Sequence, residues 1–325
     1  MKISVLGCGR WGSFIAWYLA QQGNDVCSWG PEEDASYRVL KETGRNEYVT
    51  LDERITLSCD LEFAVRRAEI VVISISSQGL RGFMQRIMKY PVSEKVFVLC
   101  MKGIEVETGK RLSEILVESG VSPDKIAVWV GPGHIQSFVQ GIPNCMVIDS
   151  ENEKLKVSLV DAFRSDLIRF YYGSDLLGTE IGAAAKNVMG IAAGVLDVVC
   201  VPLKGPLMSR GAREVARLIK AMGGDERSAY GLAHLGDYET TLFSPYSHNR
   251  KYGEMLAKGQ RFEKLAEGVT TSAAMCYLGK KYGVELPITE AVHTVCYGEP
   301  GDDGARCREA ISRLFARSTK PELYD

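Results

Sequence analysis

Gly7-Cys8-Gly9-Arg10-Trp11-Gly12 follows the apolar run 3–6 and opens a helix-like stretch, 11–22. A G-x-G-x-x-G between strand and helix is a dinucleotide-binding turn. Gly7 permits the tight turn, Gly9 lets backbone approach a pyrophosphate, and Gly12 lets helix and strand pack closely. The helix N-terminus then presents free N–H groups and a partial positive charge to the anion. The next strand runs into Ser28-Trp29-Gly30-Pro31-Glu32-Glu33. A carboxylate at such a tip holds a ribose 2′-hydroxyl, whereas an arginine favours a 2′-phosphate. Glu32 and Glu33 come slightly late and nothing basic sits at the tip, so the expected cofactor is NAD ahead of NADP. Two solvated glutamates in a loop would fit the same residues.

Two lysines are placed for chemistry. Lys102 follows the apolar run 96–101, at the end of a strand where open α/β sheets bind their ligands, although a surface lysine also fits there. Lys186 stands in Gly178-Thr179-Glu180-Ile181-Gly182-Ala183-Ala184-Ala185-Lys186-Asn187. If that segment is helical, Gly182, Lys186, Met189 and Gly190 share a face, and so many small residues imply close backbone packing. A lysine desolvated there has its pKa lowered toward that of a general base; a lysine snorkelling to the helix edge is the other reading. Gly231–Asp237 and the stretch Ser244-Pro245-Tyr246-Ser247-His248-Asn249-Arg250-Lys251 read as loops ending in a helix. The second gathers hydroxyl, imidazole, amide and two cations, a set suited to a phosphate, though a solvated loop would carry the same residues.

These groups need a scaffold. Candidate strands at 3–6, 25–29, 70–75, 96–101, 126–130, 145–148 and 168–172 alternate with helical patterns at 11–22, 61–67, 80–88 and 110–118. That alternation predicts a doubly wound, mostly parallel α/β sheet of Rossmann type. From about residue 175 the pattern is helical, at 176–199, 206–222, 249–258, 271–282, 288–297 and 303–316. The expected organisation is a dinucleotide-binding domain over 1–174 and an all-helical substrate domain over 175–325, packed with a cleft between them.

A chain of 325 residues suffices for two such cores. Its 46% hydrophobic and 25% charged residues are those of a globular protein. With 39 basic and 41 acidic residues there is no net basic field for a polyanion, so nucleic acid is not an expected partner. The apolar runs are interrupted before the ~20 residues that cross a bilayer, and the start reads as a first strand rather than a signal peptide. Nine scattered cysteines without a CxxC pair fit reduced thiols in a cytoplasmic protein better than disulfides or a metal site.

Taken together these stretches resemble the bacterial-type NAD(P)-dependent glycerol-3-phosphate dehydrogenases, from the first strand to about residue 297. The resemblance rests on 7–12, Lys-Gly-Ile-Glu at 102–105, Gly131-Pro132, the 178–187 motif and Gly-Leu-Ala-x-Leu-Gly-Asp at 231–237. It continues through Asn249-Arg250, Glu267-Gly268 and Leu-Pro-Ile-Thr-Glu at 286–290. It implies a Rossmann domain with a helical domain, a homodimer, and interconversion of dihydroxyacetone phosphate and glycerol 3-phosphate. Lys186 matches the family's proton-transfer lysine, Lys102 the lysine touching cofactor and substrate, and Asp237 a substrate-site aspartate. Gly131, Asn187, Ser247, His248 and Asn249 fall among substrate positions. Arg10, Trp11, Ile135, Arg250 and Glu267 fall with the glycines among cofactor positions.

The departures bear on the substrate. The family usually has arginine at the position of His248, and an imidazole cannot supply a permanent forked charge. Arg250 could compensate, though it matches a separate family arginine. Gly133 stands where the family has a hydroxyl, Arg10 replaces a serine and could reach the pyrophosphate, and 199–206 replaces a Gly/Asn/Ala-rich segment. The expectation is therefore a dehydrogenase acting on a small phosphorylated substrate, glycerol 3-phosphate first. The alternatives are another phosphorylated polyol or hydroxy acid and, from a different class, a catalytically silent dinucleotide sensor.

Overall fold

The computed structural model describes residues 1–299 and 301–322. The chain divides into two compact units, one of Met1–Met101 with Leu112–Leu176, the other of Lys102–Arg111 with the chain from Leu177 onward.

The first unit is a sheet of β1 (Lys2–Leu6), β2 (Asp25–Trp29), β3 (Thr56–Ser58), β4 (Ile70–Ile73), β5 (Val96–Leu99), β6 (Ile126–Val130), β7 (Asn144–Asp149) and β8 (Ile168–Tyr172). It is flanked by α1 (Arg10–Gln21), α2 (Ala35–Thr43), α3 (Leu61–Arg67), α4 (Leu80–Ile87), α5 (Leu112–Glu118), α6 (Ile135–Val139) and α7 (Glu153–Phe163). The strands are apolar on both sides because helices cover both faces. Along β1, Ile3 and Val5 join Phe14, Tyr18 and Trp129, while Leu6 joins Trp29, Phe83 and Leu99 on the other face. The strand order is β3-β2-β1-β4-β5-β6-β7-β8. Pairing is parallel throughout except between β6 and β7. Ile3 lies opposite Val26 on one side and Ile70 on the other. The chain thus reverses direction across the sheet at β1 and β4, the switch point outside which such sheets bind ligands.

Asp34, Asp60 and Asn152 cap α2, α3 and α7 by accepting hydrogen bonds from first-turn amides. Helix α1 has Gly9 at its cap position and no side-chain cap. The expected sheet is present, with β4 and β5 each two residues shorter than expected. Strand β3 and helices α2, α6 and α7 had no counterpart among the expected elements.

The second unit holds α8 (Leu176–Val199), α9 (Lys204–Ala221), α10 (His248–Ala257), α11 (Glu267–Tyr282), α12 (Pro287–Tyr297) and α13 (Asp303–Phe315). Helix α8 has the length and composition to cross a membrane, but 83% of its apolar window is buried inside the fold. It is a core helix. Its small residues admit neighbours closely. A Cβ on Gly194 would lie 1.8 Å from the Arg250 carbonyl oxygen, and one on Gly253 of α10 would lie 2.1 Å from that of Ile191. Helix α11 begins four residues before the expected 271, where the Thr270 and Thr271 hydroxyls donate back to the Glu267 carbonyl.

The segment 102–111 lies in the second unit, although the sequence reading placed it with the first. Ile104 is fully buried in the helical core with Ile181 and Leu278. Gly109, at φ +69°, presses so closely on Tyr277 that a Cβ would sit 2.7 Å from its ring. Arg111 Nη1 pairs with Glu180 Oε2 of α8 at 2.7 Å, both side chains being largely buried. Three anchors of different chemistry therefore hold this arm on α8 and α11.

Candidate active site

In the first unit, the dinucleotide turn has the geometry its glycines suggest. Gly7 sits at φ +112°, and a Cβ there would fall 2.1 Å from the Ser74 carbonyl oxygen of the neighbouring strand end. A Cβ on Gly12 would fall 1.7 Å from the Gly7 oxygen. Gly9 has no atom within 4 Å of that position, so a side chain there would fill open space at the start of α1. Arg10, the first residue of α1, lies with its guanidinium 5.3 Å from the Tyr48 ring centroid. Asn46 Nδ2 donates to Ser13 Oγ at 2.7 Å, so the loop bearing Tyr48 leans on the same helix. Trp11 meets Phe14 edge-on at 5.5 Å.

The tip of β2 differs from expectation. Helix α2 folds two basic residues back to it: Lys41 Nζ lies 3.3 Å from Glu32 Oε1, and Arg38 Nη2 donates to the Glu33 carbonyl at 2.6 Å. The absence of basic residues at the tip held only along the strand itself, and the preference for NAD loses that support. Ile135 opens α6. Its side chain is fully buried among Phe14, Phe138 and Trp129, so only its backbone could meet a cofactor. Gly131 is buried at φ +132°, and Gly133 at φ +151° would put a Cβ 2.3 Å from the Phe138 ring. The lost hydroxyl at 133 therefore goes with a backbone and a packing that exclude any side chain there.

In the second unit, Lys102, Lys186 and Asp237 come together. Asp237 is 1% exposed, and its Oδ2 lies 2.8 Å from Lys102 Nζ and 2.9 Å from Lys186 Nζ. Its other oxygen accepts from the Thr240 hydroxyl. Lys186 Nζ donates to Thr241 Oγ1 at 2.9 Å. Asp237 ends a short 3-10 turn, Leu235–Asp237, and both threonines stand in the π-helical turn Glu239–Phe243 that follows. Such turns are frequent at functional sites because they re-aim successive side chains. His234, fully buried, receives the Tyr238 hydroxyl at Nε2 (2.8 Å) and contacts the Gly182 carbonyl through Nδ1 (2.9 Å). Burial pushes its pKa down to about 4, so it braces the turn against α8 as a neutral ring.

Burial drives Lys186 down to about 8, with Lys102 adding to the fall and Asp237 opposing it. For Asp237 burial pushes upward, but the two lysines outweigh it and hold the carboxyl below its ordinary value. The cluster is thus a carboxylate flanked by two amines, one of which can take up or release a proton near neutral pH. This is the property of a general acid and base.

A chain of amides fixes these groups. Asn187 Nδ2 donates to the Lys102 carbonyl at 3.0 Å, Asn249 Nδ2 donates to Asn187 Oδ1 at 3.0 Å, and Asn249 Oδ1 accepts from the Gly268 amide at 2.9 Å. The arm, α8, α10 and the start of α11 are locked in one register. Ser247 caps α10, its hydroxyl accepting from the Arg250 amide at 3.3 Å. His248 is the first residue of that helix, its ring 6.0 Å from Phe262. Arg250 is turned to another task. Its Nε donates to Asp197 Oδ2 at 2.6 Å, and Asp197 also pairs with Lys204. One carboxylate is thus shared by two cations within the helical unit. Glu267 opens α11 half-buried.

The sequence reading missed Thr240, Thr241 and His234. The available signal was helical spacing: if a turn continues past Asp237, positions three and four later fall beside it.

A sheet that opens for a dinucleotide and a helical unit that carries a desolvated, carboxylate-bound amine define a nicotinamide-dependent dehydrogenase of the two-domain type. The chain belongs to the NAD-dependent glycerol-3-phosphate dehydrogenase family: residues 2–156 match the model of its N-terminal part and residues 175–302 that of its C-terminal part. The NAD(P)+ glycerol-3-phosphate dehydrogenase of Chlorobium limicola is 33% identical over 338 aligned positions, which cover 100% of both chains. That of Moorella thermoacetica is 36% identical over 316, covering 93% of each. The crystal structure of glycerol-3-phosphate dehydrogenase from Coxiella burnetii superposes with a TM-score of 0.88 at 25% identity, over 97% of this chain and 99% of that one. A D-mandelate dehydrogenase bound to NADH shares the fold at a TM-score of 0.61 and 17% identity, over 90% of this chain and 96% of that one.

Proposed function

We propose that this protein interconverts sn-glycerol 3-phosphate and dihydroxyacetone phosphate with NAD or NADP. The observation that carries the reading is the single buried carboxylate shared by two lysines, in a chain related over its full length to enzymes named for that reaction. The nicotinamide, when bound, accepts or gives the hydride. Gly7, Gly9 and Gly12 fit its dinucleotide, and the start of α1 would hold the pyrophosphate. Arg10, Trp11, Glu267 and the Ile135 backbone belong to the same proposed cofactor set.

In the oxidative direction Lys186 Nζ, neutral above about 8, takes the proton of the substrate hydroxyl. In the reductive direction the ammonium returns it to the developing alkoxide. Lys102, fixed through Asn187 and Asp237, places a second positive charge where negative charge grows on that oxygen. Asp237 keeps the two amines together and holds the proton on Lys186 against burial. Ser247, His248 and Asn249, with Gly131, are assigned to the substrate and its phosphate. The related enzymes and the Lys186–Asp237–Lys102 cluster favour glycerol 3-phosphate over another hydroxy compound and over a silent sensor. A homodimer, as the resemblance implies, and a cytoplasmic setting, in keeping with the scattered free cysteines, accompany the reading.

The test is oxidation of NADH and NADPH by purified protein with dihydroxyacetone phosphate, at pH 6 and pH 8, alongside Lys186→Met. Turnover should appear with the native protein and fall ~10²–10⁴-fold in the variant while NADH still binds. A variant that keeps more than about a tenth of the native rate would remove Lys186 from the proton-transfer step.

A further inference from the structure

Two buried side chains beside the Lys186 cluster take no part in proton transfer. His234 and Tyr238 are each 0% exposed, and they bracket Asp237, three residues before it and one after. The Gly182 carbonyl can only accept, so the His234 Nδ1 that meets it at 2.9 Å carries the proton. Nε2 is then an acceptor, and the Tyr238 hydroxyl donates to it at 2.8 Å. Burial keeps the ring neutral, its pKa down at about 4, and keeps the Tyr238 hydroxyl protonated. One neutral tautomer thus satisfies both ring nitrogens.

The pair spans the elements that carry the cluster. Gly182 lies one helical turn before Lys186 on α8, and in the regular ladder its carbonyl also accepts from the Lys186 amide. The approach is close: a Cβ on Gly182 would lie 3.0 Å from His234 Cβ. Tyr238 seats between α8 and α9, where a Cβ on Gly211 would lie 3.1 Å from its hydroxyl and 2.8 Å from Met189 Sδ. The His234 carbonyl accepts from the Asp237 amide at 3.0 Å, and the Tyr238 carbonyl accepts from the Thr241 amide at 3.1 Å. Two side-chain partners of Lys186, Asp237 Oδ2 and Thr241 Oγ1, therefore hang from residues that the pair fastens to α8. Asp237 and Lys186 face the ring, Glu214 of α9 faces the hydroxyl, and Asp237 and Lys102 face Lys186. An apolar pair would fill the same space without fixing an orientation, whereas a satisfied buried polar pair specifies one geometry.

On the reading of Lys186 as the acid–base group, we propose that His234 and Tyr238 are positioning residues for proton transfer, a neutral bolt that fixes where the Asp237 carboxylate and the Thr241 hydroxyl meet the Lys186 amine. A retreat of Asp237 by about 0.5 Å from 2.9 Å lowers the Lys186 pKa by roughly half a unit at an effective dielectric of about 20. Lysine labelled with carbon-13 at Cε follows this in the full chain by NMR, the Lys186 resonance being the one lost in Lys186→Met. Tyr238→Phe, which removes only the hydroxyl, should lower that pKa by at least about half a unit. The declining limb of kcat/KM for dihydroxyacetone phosphate should move down equally. His234→Asn, which keeps a nitrogen at the place of Nδ1 and offers Tyr238 nothing, should do the same. The double variant should shift no further than either, because the two residues act as one unit. Tyr18→Phe removes a buried hydroxyl of the sheet unit, where it donates to the Phe163 carbonyl, and should leave the Lys186 titration in place. In the native protein the ring nitrogens of His234, followed by nitrogen-15 NMR, should show a neutral ring protonated at Nδ1 from about pH 5.5 to about 9.5, a result that stands whether or not the variants fold. A Lys186 titration that stays in place in Tyr238→Phe would overturn the bolt, as would single shifts that add in the double variant. So would an equal shift in Tyr18→Phe, or a His234 ring that is charged or protonated at Nε2 in that range. The NMR titration needs no turnover: shifts as expected without reduction of dihydroxyacetone phosphate would remove the proposed reaction and leave the positioning intact.

Discussion

Replacing Asp237 by asparagine removes the one charge that the two site lysines share while keeping the size of the side chain. A full negative charge 2.9 Å from Lys186 Nζ is worth about 332/(20 × 2.9), or ~6 kcal/mol, at an effective dielectric of 20. At 1.36 kcal/mol per unit that is an upper bound of ~4 pKa units. Asparagine retains a dipole aimed at the amine, and Lys102, released from the same oxygen, can draw back and repel Lys186 less. About 1–2 units should remain. Lys186 already lies at about 8 because burial outweighs Asp237; without the carboxylate it should fall to roughly 6–7. The reducing direction needs the ammonium, so its rate is full below the pKa and declines above it. The declining limb of kcat/KM for dihydroxyacetone phosphate reports the free enzyme and should move down by those 1–2 units. In the oxidising direction the rising limb should move down equally. Loss of positioning lowers the plateau in both directions without moving either limb. Profiles of NADH oxidation from about pH 5.5 to about 9.5 separate the two effects. A limb that stays in place, or moves upward, would show that Asp237 does not hold the proton on Lys186.

Three further perturbations address the scaffold. Arg111→Ala leaves Glu180 buried without the guanidinium that pairs with it, which should cost about 3–5 kcal/mol in urea denaturation and lower kcat/KM by loosening the arm that carries Lys102; stability within 1 kcal/mol of native, by the ~1.4 kcal/mol-per-decade scale, would refute the anchoring. Gly12→Ala drives a methyl into the Gly7 carbonyl oxygen and should weaken NADH at least about tenfold in a fluorescence titration; native affinity would show that the turn tolerates a side chain. Glu214 is held up at about 7 by burial, against its hydrogen bonds from Thr289 and Ile288. Between the ordinary carboxyl value and about 7 the folded state binds more protons than the unfolded one, so this group's stabilisation declines as pH rises through that window. Glu214→Gln has no such titration, so its stability relative to native should improve from pH 5 to pH 8; a constant gap would mean that the carboxyl is already ionised at pH 5.

The elements legible in the sequence were those whose pattern reports burial. Strands β1, β2, β4, β5 and β6 are nearly continuous apolar runs because helices cover both faces. The small-residue stretch of α8 likewise reports close packing. Strand β3 has three residues, none of them buried, and α2 exposes most of its surface, so neither carries a burial signal to read. The antiparallel β6–β7 pair also leaves no trace, since a strand buried on both sides has the same composition whichever way it runs. Lys102 was read from its place at a strand end, Lys186 from the small-residue face of its helix, and Asp237 only from the family resemblance. Thr240 and Thr241 fall beside Asp237 only if a turn continues past it, and no burial pattern marks that turn.

The arm 102–111 shows why a site can be assembled from residues that chain order separates. Strand–helix alternation assigns everything between β5 and α5 to the sheet, and by that logic Lys102 is a residue of the dinucleotide domain. The burial of Ile104 against Ile181 and Leu278, the Arg111–Glu180 pair and the Asn187 bond to the Lys102 carbonyl place it in the helical unit instead. Both lysines and the aspartate are then fixed within one compact body. Their mutual distances, of 2.8 and 2.9 Å to a common oxygen, are set within that unit. An acid–base group whose pKa is set by a neighbour less than 3 Å away benefits from such an arrangement, because a Coulombic shift of this size changes steeply with distance. The polar amide chain through Asn187 and Asn249 reads in the same way: it ties α8, α10 and α11 to the arm, so the proton-transfer group and its charge partners move as one.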